Sequence, residues 1–444
     1  MKKSSPVKKM SYGVLDLGQN AFLNLIGFHF LFFLTDIQGL SPALAGGALL
    51  AGRVWDAVTD PLVGHWSDRT QTRFGRRRPF IAAGSFSMVF FLFALFTVPE
   101  GLAEFPAFVY VTLFYVLAST SFTLMNIPYQ AMLPEITRDF DERTRFIAYR
   151  MGFAIIGTLV GAGAVRPLVN LIGARGWSMT AGIIGIMVTA TAAITLFSIR
   201  EPKHDHQEEP MHLFRSLLHV FSRKPFLFAM IPWMIFQLGV AMVQASLRGY
   251  FKYIVGSEGL FDFGVLALLL AALGAIPLYV YLSKKIDKKG SYMTGMLWLA
   301  LLLPVFAYLV PVLPPAAAIA LMAVAGLGLG AHYVMPHSLL PDVIEWDAVQ
   351  TGSRREGAFA SIWIFSGKLS QGIAGWLVGL ILSFTGYAAN TVQSPQAIRG
   401  IQLVTGVIPA ILIGFGVLVL SAYPISRKYY DGMFATPSSD GDRS

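Results

Sequence analysis

RVWDAVTDPLVGHWSDRTQTRFGRRRP, residues 53–79, decides how the rest of the chain is read. Its first half closes an apolar run, residues 42–66, and a bilayer-crossing helix needs roughly 20 mostly apolar residues. Yet that run holds Arg53, Asp56 and Asp60. Spaced at i, i+3 and i+7, the three side chains share one face of a helix. The second half turns abruptly basic, with Arg69, Arg73, Arg76, Arg77 and Arg78 around Gly75, the composition of a cytoplasmic loop between two crossings. A charge at bilayer depth is costly and marks a functional site by default. The stretch therefore predicts a transmembrane helix that carries chemistry, followed by a charged inner loop.

Working outward, the same reading gives twelve spans: approximately 11–35, 42–66, 79–99, 105–132, 147–172 and 177–199, then 226–250, 260–283, 291–312, 314–340, 356–384 and 398–424. Of 444 residues, 55% are hydrophobic and 13% charged, with mean hydropathy +0.60. A soluble domain carries about 25% charged residues, so a soluble enzyme, a disordered chain and a nucleic-acid binder are excluded. The absence of cysteine removes disulfides, thiolate nucleophiles and cysteine zinc sites. The first run follows four lysines. It is too long for a signal core and holds Asp16 and Asn20, so it reads as an uncleaved first span.

Most of the 34 Lys and Arg fall in alternate connections. Only Arg175, Arg248, Lys252 and Arg399 lie on the other side, with Arg53, Arg150, Arg166 and Lys368 inside spans. This bias predicts cytoplasmic termini in a plasma membrane, here a bacterial inner membrane. The net charge of +9 is then topogenic and implies no nucleic-acid partner. The two halves echo each other. Leu17-Gly18 matches Leu238-Gly239, Gly39-Leu40 matches Gly259-Leu260, and Asp68-Arg69 matches Asp287-Lys288. Pro128…Leu133-Pro134-Glu135 likewise matches Pro336…Leu340-Pro341-Asp342. The expectation is an all-α membrane protein of twelve transmembrane helices in two six-helix repeats. Residues 1–200 form the first bundle, 201–225 a cytoplasmic linker, 226–424 the second bundle and 425–444 a cytoplasmic tail. Parallel repeats of this kind place a substrate between the halves near the midplane.

Asp56 and Asp60, one turn apart, repel unless a cation sits between them. Thr59 adds a hard oxygen donor, and such donors suit small cations such as Na⁺; a proton fits the same pair. Pro61 weakens the local backbone ladder. The competing reading makes Arg53–Asp56 a buried structural pair, with Asp60 as a cap. Lys368, buried in the eleventh span, needs an anion, and the two aspartates are its natural partner. Gln19, Asn20, Asn24, Asn126 and Gln130 both donate and accept hydrogen bonds, which suits a neutral, hydroxyl-rich ligand or simple helix–helix adhesion. Trp233, Tyr333 and Trp363 offer apolar faces to sugar rings, or merely pack. His29, His332 and His337 can carry protons or be packed neutral. Asp68, Arg69 and Arg76 set against Glu135, Asp139, Asp141 and Glu142, with Asp342, Glu345, Arg354 and Arg355 in the second half, predict a cytoplasmic gate or a solvated loop. No HExxH motif and no useful Ser–His spacing support an intramembrane enzyme.

Residues 53–79, together with Ile127-Pro128-Tyr129, Arg145…Arg150-Met151 and Gly352…Arg354-Arg355-Glu356-Gly357 with Lys368 beyond, resemble the glycoside–pentoside–hexuronide:cation symporters. The resemblance implies the major facilitator fold, no cofactor, and sugar uptake coupled to Na⁺, Li⁺ or H⁺. It implies a cation site of Asp56, Thr59, Asp60 and Thr123, with Arg53 and Lys368 coupled to it. The ligand residues it implies are Gln19, Asn20, Asn126, Gln130, Arg145 and Tyr333, to which Arg150 and Trp363 are added as candidates. The acids that bind galactosides in the melibiose carrier of that family fall on Asn20 and Asn126. Cation coupling is thus expected without galactoside recognition. Lysophospholipid symporters resemble the same family, so an amphiphile is the alternative cargo. A monomer is expected.

Overall fold

The computed structural model describes residues 5–137, 140–199, 220–352 and 356–425, and every regular element among them is helical. Helix α1 (Pro6–Gly13) starts on Ser5, whose hydroxyl accepts the Lys8 amide, with proline at the first helical position. Helix α2 (Leu15–Leu25) continues through two π turns, Ile26–Phe30 and Phe33–Ile37. Helix α3 (Pro42–Arg69) carries the 53–69 motif; its 28 residues span about 42 Å at 1.5 Å each, more than a hydrocarbon core of about 30 Å. Next come α4 (Arg78–Leu95), α5 (Glu104–Ile136) and α6 (Phe140–Leu159), then α7 (Val165–Ile172) and α8 (Gly176–Ser198). The rest of the chain forms α9 (Lys224–Tyr250), α10 (Gly259–Leu309), α11 (Ala317–Thr351), α12 (Glu356–Phe384), α13 (Pro395–Gln402) and α14 (Ile408–Ser421).

Among the described residues, nine helical segments are long and apolar enough to cross a membrane. Two physical features separate that number from the twelve spans read in the sequence. The first is that α10 is two antiparallel helices in one: Asp287 leaves helical geometry at φ 72, ψ 160. The Ser291 hydroxyl donates to the Tyr279 carbonyl at 2.9 Å, whereas twelve residues of unbroken helix would hold them about 18 Å apart. The second is that π turns break α2 into a piece of 11 residues, and that Arg53, Asp56 and Asp60 in mid-helix lower the hydropathy of α3.

Packing is tight where glycine permits it. A Cβ at Gly157 or Gly161 on the α6 side would overlap the carbonyl oxygens of Leu17 and Ala21 on α2. This is the close approach that a small-xxx-small pattern allows between membrane helices. Phe86, Phe197, Leu301 and Leu418 are more than two-thirds exposed, and so much bare apolar surface suits lipid rather than water. Contacts divide the chain into two compact units. One comprises residues 1–207, 241–266 and 371–404, the other residues 208–240, 267–370 and 405–444.

Candidate functional site

In the first unit, α3 presents its charged face as the i, i+3, i+7 spacing requires. Arg53 Nη1 donates to Asp56 Oδ2 at 3.2 Å, and both residues are buried. Asp60 Oδ1 accepts the Thr123 hydroxyl of α5 at 2.8 Å. Thr59 is buried, and its hydroxyl donates to the Trp55 carbonyl, which leaves its oxygen lone pairs available. The four oxygen-bearing residues of the expected cation site thus comprise an arginine-paired Asp56 and a hydroxyl-bound Asp60, with two threonines beside them. Carboxylate and hydroxyl oxygens are the donors that a small hard cation takes. Among the described residues no three His, Cys, Asp or Glu side chains gather as a metal cluster.

The expected ligand residues separate into groups. Arg150 is committed within the bundle: Nε and Nη2 donate to Asp16 at 2.7 and 3.1 Å. The Tyr129 hydroxyl donates to the same carboxylate at 2.6 Å, and the guanidinium lies 4.7 Å over the Tyr129 ring. Asn20 donates to the Asp16 carbonyl, Asn24 to the Asn20 carbonyl and to Thr158, and Gln130 to Asn126 Oδ1. Gln19 is 3% exposed, and its amide nitrogen has no acceptor. Arg145 is exposed near the start of α6.

In the second unit, Trp363 is buried with one ring face stacked on Trp233, centroids 4.5 Å apart, while Tyr333 is 45% exposed. Lys368 is half-buried on α12. His332 joins Gln237 Oε1 at 2.7 Å through Nε2 and the Tyr292 hydroxyl at 3.2 Å through Nδ1, and it stacks on Phe236.

The loop charges pair locally. Asp68 takes Arg77 at 2.8 Å, a neighbour of the Arg76 singled out in the sequence. Lys9 takes Glu142, Arg223 takes Asp347, and Lys288 takes Asp342 at 2.7 Å. Arg69 is exposed. Arg354, Arg355, Asp139 and the side chains of Glu135 and Asp141 lie outside the described residues.

Sequence reasoning passes over Asp36. It is buried at the end of α2 remote from the chain start and bound by Lys252, Tyr253 and Tyr387. Tyr387 lies beyond the spans; burial and the adjacent Asp36 carboxylate push its phenol above the usual range, so it stays a proton donor. The signal in the sequence is a lone acid at the far end of the first span and two bases, Arg248 and Lys252, at the corresponding end of the seventh.

A helical protein with lipid-suited flanks and charged side chains buried among apolar helices belongs to the class of multi-pass membrane proteins. The sequence profile of the MFS/sugar transport protein family matches residues 11–427, and the chain belongs to that family. It is 30% identical to the uncharacterized symporter YnaJ of Bacillus subtilis, over 98% of this chain and 95% of that one. It is 28% identical to the isoprimeverose transporter of Lactiplantibacillus pentosus, over 95% and 89%. It is 26% identical to the sodium-dependent lysophosphatidylcholine symporter 1-A of Danio rerio, over 91% and 82%. In fold it matches a bacterial homolog of the human lysosomal transporter Spinster, with a TM-score of 0.71 at 13% identity, over 98% of this chain and 100% of that one. The resemblance read from residues 53–79 stands: this is a transmembrane symporter-family protein of the major facilitator superfamily.

Proposed function

We propose that the chain is a cation-coupled symporter that carries a sugar or glycoside across a bacterial inner membrane by alternating access. It acts as a monomer, with no cofactor and no enzymatic step. Counting α2, α3 and both arms of α10 with the other apolar helices gives twelve spans in two repeats. Both termini are then cytoplasmic, and the cytoplasmic gate is drawn from Asp68, Arg69, Arg76, Glu135, Asp342, Arg354 and Arg355.

The observation that carries this reading is the Asp60–Thr123 hydrogen bond beside the Arg53–Asp56 pair on the charged face of α3. Arg53 pairs with Asp56, and Asp60 lies on the same helix face with Thr59 and Thr123 supplying further oxygens. Na⁺ or H⁺ bound there discharges Asp60, and Lys368 of the second unit is kept as the candidate coupling residue. Cation and ligand then raise each other's affinity by the same factor. Gln19, whose buried amide nitrogen lacks an acceptor, gains one from a ligand hydroxyl. Asn20, Asn126 and Gln130 are candidate ligand residues in the first unit, and Tyr333 and Trp363 are candidates in the second. Arg145 is exposed and Arg150 is bound to Asp16, so both shape the site from a distance.

The name of the relatives that are sodium-dependent lysophosphatidylcholine symporters supports a second reading, an amphiphile as cargo. A thermal-stabilisation screen of sugars and lysolipids, with and without Na⁺, separates the two. Asp60→Asn abolishes cation-driven uphill uptake in vesicles; accumulation that persists with unchanged cation dependence removes Asp60 from the coupling site.

A further inference from the structure

The far end of α2 holds a carboxylate that the transport reading leaves unused. Asp36 is 3% exposed, and its oxygens are saturated. Oδ1 accepts Lys252 Nζ at 2.8 Å and the Tyr253 hydroxyl; Oδ2 accepts the Thr35 hydroxyl at 2.8 Å and the Tyr387 hydroxyl. Asn390 closes the ring. Its side-chain amide donates to the Asp36 carbonyl at 2.6 Å, its Oδ1 accepts Lys252 at 2.6 Å, and its backbone N–H donates to the Tyr253 hydroxyl at 2.9 Å. Asn390 does this from φ 57, a left-handed backbone that an asparagine tolerates best among the side-chain-bearing residues.

Nearby in the same unit, Arg166 binds Glu258 at 2.9 Å, and Arg248 lies 3.5 Å from Asp262 with its guanidinium over Phe261. Phe261 meets Phe28 and His29 edge-on. Between α3 and α12 the backbones nearly touch, since a Cβ on Gly379 would overlap the Pro42 carbonyl.

Phe28, Asp36, Pro42 and Arg166 belong to the first sequence repeat. Lys252, Tyr253, Glu258, Phe261, Gly379, Tyr387 and Asn390 belong to the second. We propose that Asp36, clasped by Lys252, Tyr253, Tyr387 and Asn390, is the latch that holds the two repeats closed on the face opposite the chain termini, and that opening this face requires its release. The position suits reversibility. Asn390 is exposed and the Lys252 side chain is 19% exposed, so water replaces each bond as the repeats part. A buried pair released into lipid would instead carry its full desolvation cost. The ion pair between Arg166 and Glu258 and the contacts of Phe261 with Phe28 and His29 add to the same closure.

This inference rests on alternating access, and its test uses neither cargo nor cation. The chain has no cysteine, so Gln244→Cys gives a single reactive site. Gln244 lies eight residues, about 12 Å of helix, before Lys252, and its Oε1 is 3.4 Å from where a Cβ on Gly27 would stand. A membrane-impermeant maleimide is applied to right-side-out and inside-out vesicles. Adding Asp36→Asn is expected to raise labelling from the outer face about tenfold, the size of one lost charge-assisted hydrogen bond. Tyr387→Phe, which removes a single hydroxyl, gives a smaller rise and decides the matter if the first variant does not fold. Unchanged labelling from both faces, in variants that remain monodisperse in detergent, overturns the latch. A rise confined to inside-out vesicles supports the latch and reverses the assumed orientation. A failure of the transport reading shows separately, as absence of cation-driven uptake in the chain without these changes.

Discussion

Asp16 and Gln237 stand at matching places, each directly before the Leu-Gly pair that the two halves share, yet each gathers a different kind of core. Asp16 is an ion: it takes two guanidinium nitrogens from Arg150 and a hydroxyl from Tyr129. Gln237 is neutral, and so is everything it binds. Its Oε1 can only accept, so His332 Nε2 carries the proton and Nδ1 takes the Tyr292 hydroxyl. Duplication preserved the frame and not the chemistry. An ionic core tolerates no missing member, because a lone buried charge is expensive; a neutral core loses one bond at a time.

That difference predicts a graded series in detergent-solubilised thermal and denaturant unfolding. Arg150→Ala strands the Asp16 carboxylate and costs about 3–5 kcal/mol. Adding Asp16→Asn to it recovers more than half, and a single-variant loss below about 1 kcal/mol would erase the contrast between the halves. His332→Leu orphans two uncharged partners, and costs about 1–3 kcal/mol. Tyr292→Phe removes one hydroxyl from His332 and costs about 0.5–1.5 kcal/mol. If Tyr292→Phe proved as damaging as Arg150→Ala, the second core would have to be ionic after all.

Much of this is legible in the chain, for identifiable reasons. The charged face of α3 comes from three residues on one helix, where spacing alone sets geometry, and the helical character comes from hydropathy. Arg150 reads as a ligand residue in the sequence because its partner Asp16 lies 134 positions away, and no local pattern connects them. Trp363 reads as a platform for a sugar ring, but its stacking with Trp233 depends on how α9 and α12 meet. Asp36 escapes notice because one acid at the end of an apolar run looks like an ordinary boundary residue. Its meaning comes from Lys252 and Asn390, more than two hundred residues on. Asp68 reads in the sequence as one side of a gate shared with the arginines, whereas it takes Arg77 of that same cluster, since residues in a turn are not ordered by a helical repeat.

The two widened turns of α2, Ile26–Phe30 and Phe33–Ile37, fix the azimuth of the residues beyond them. Each π turn accommodates about one extra residue, and one residue corresponds to about 100° of rotation. Asp36 therefore owes its heading to main-chain phase as much as to its neighbours. A one-residue deletion between Leu25 and Leu34 would swing the carboxylate away from Lys252 without altering a single chemical group at the latch.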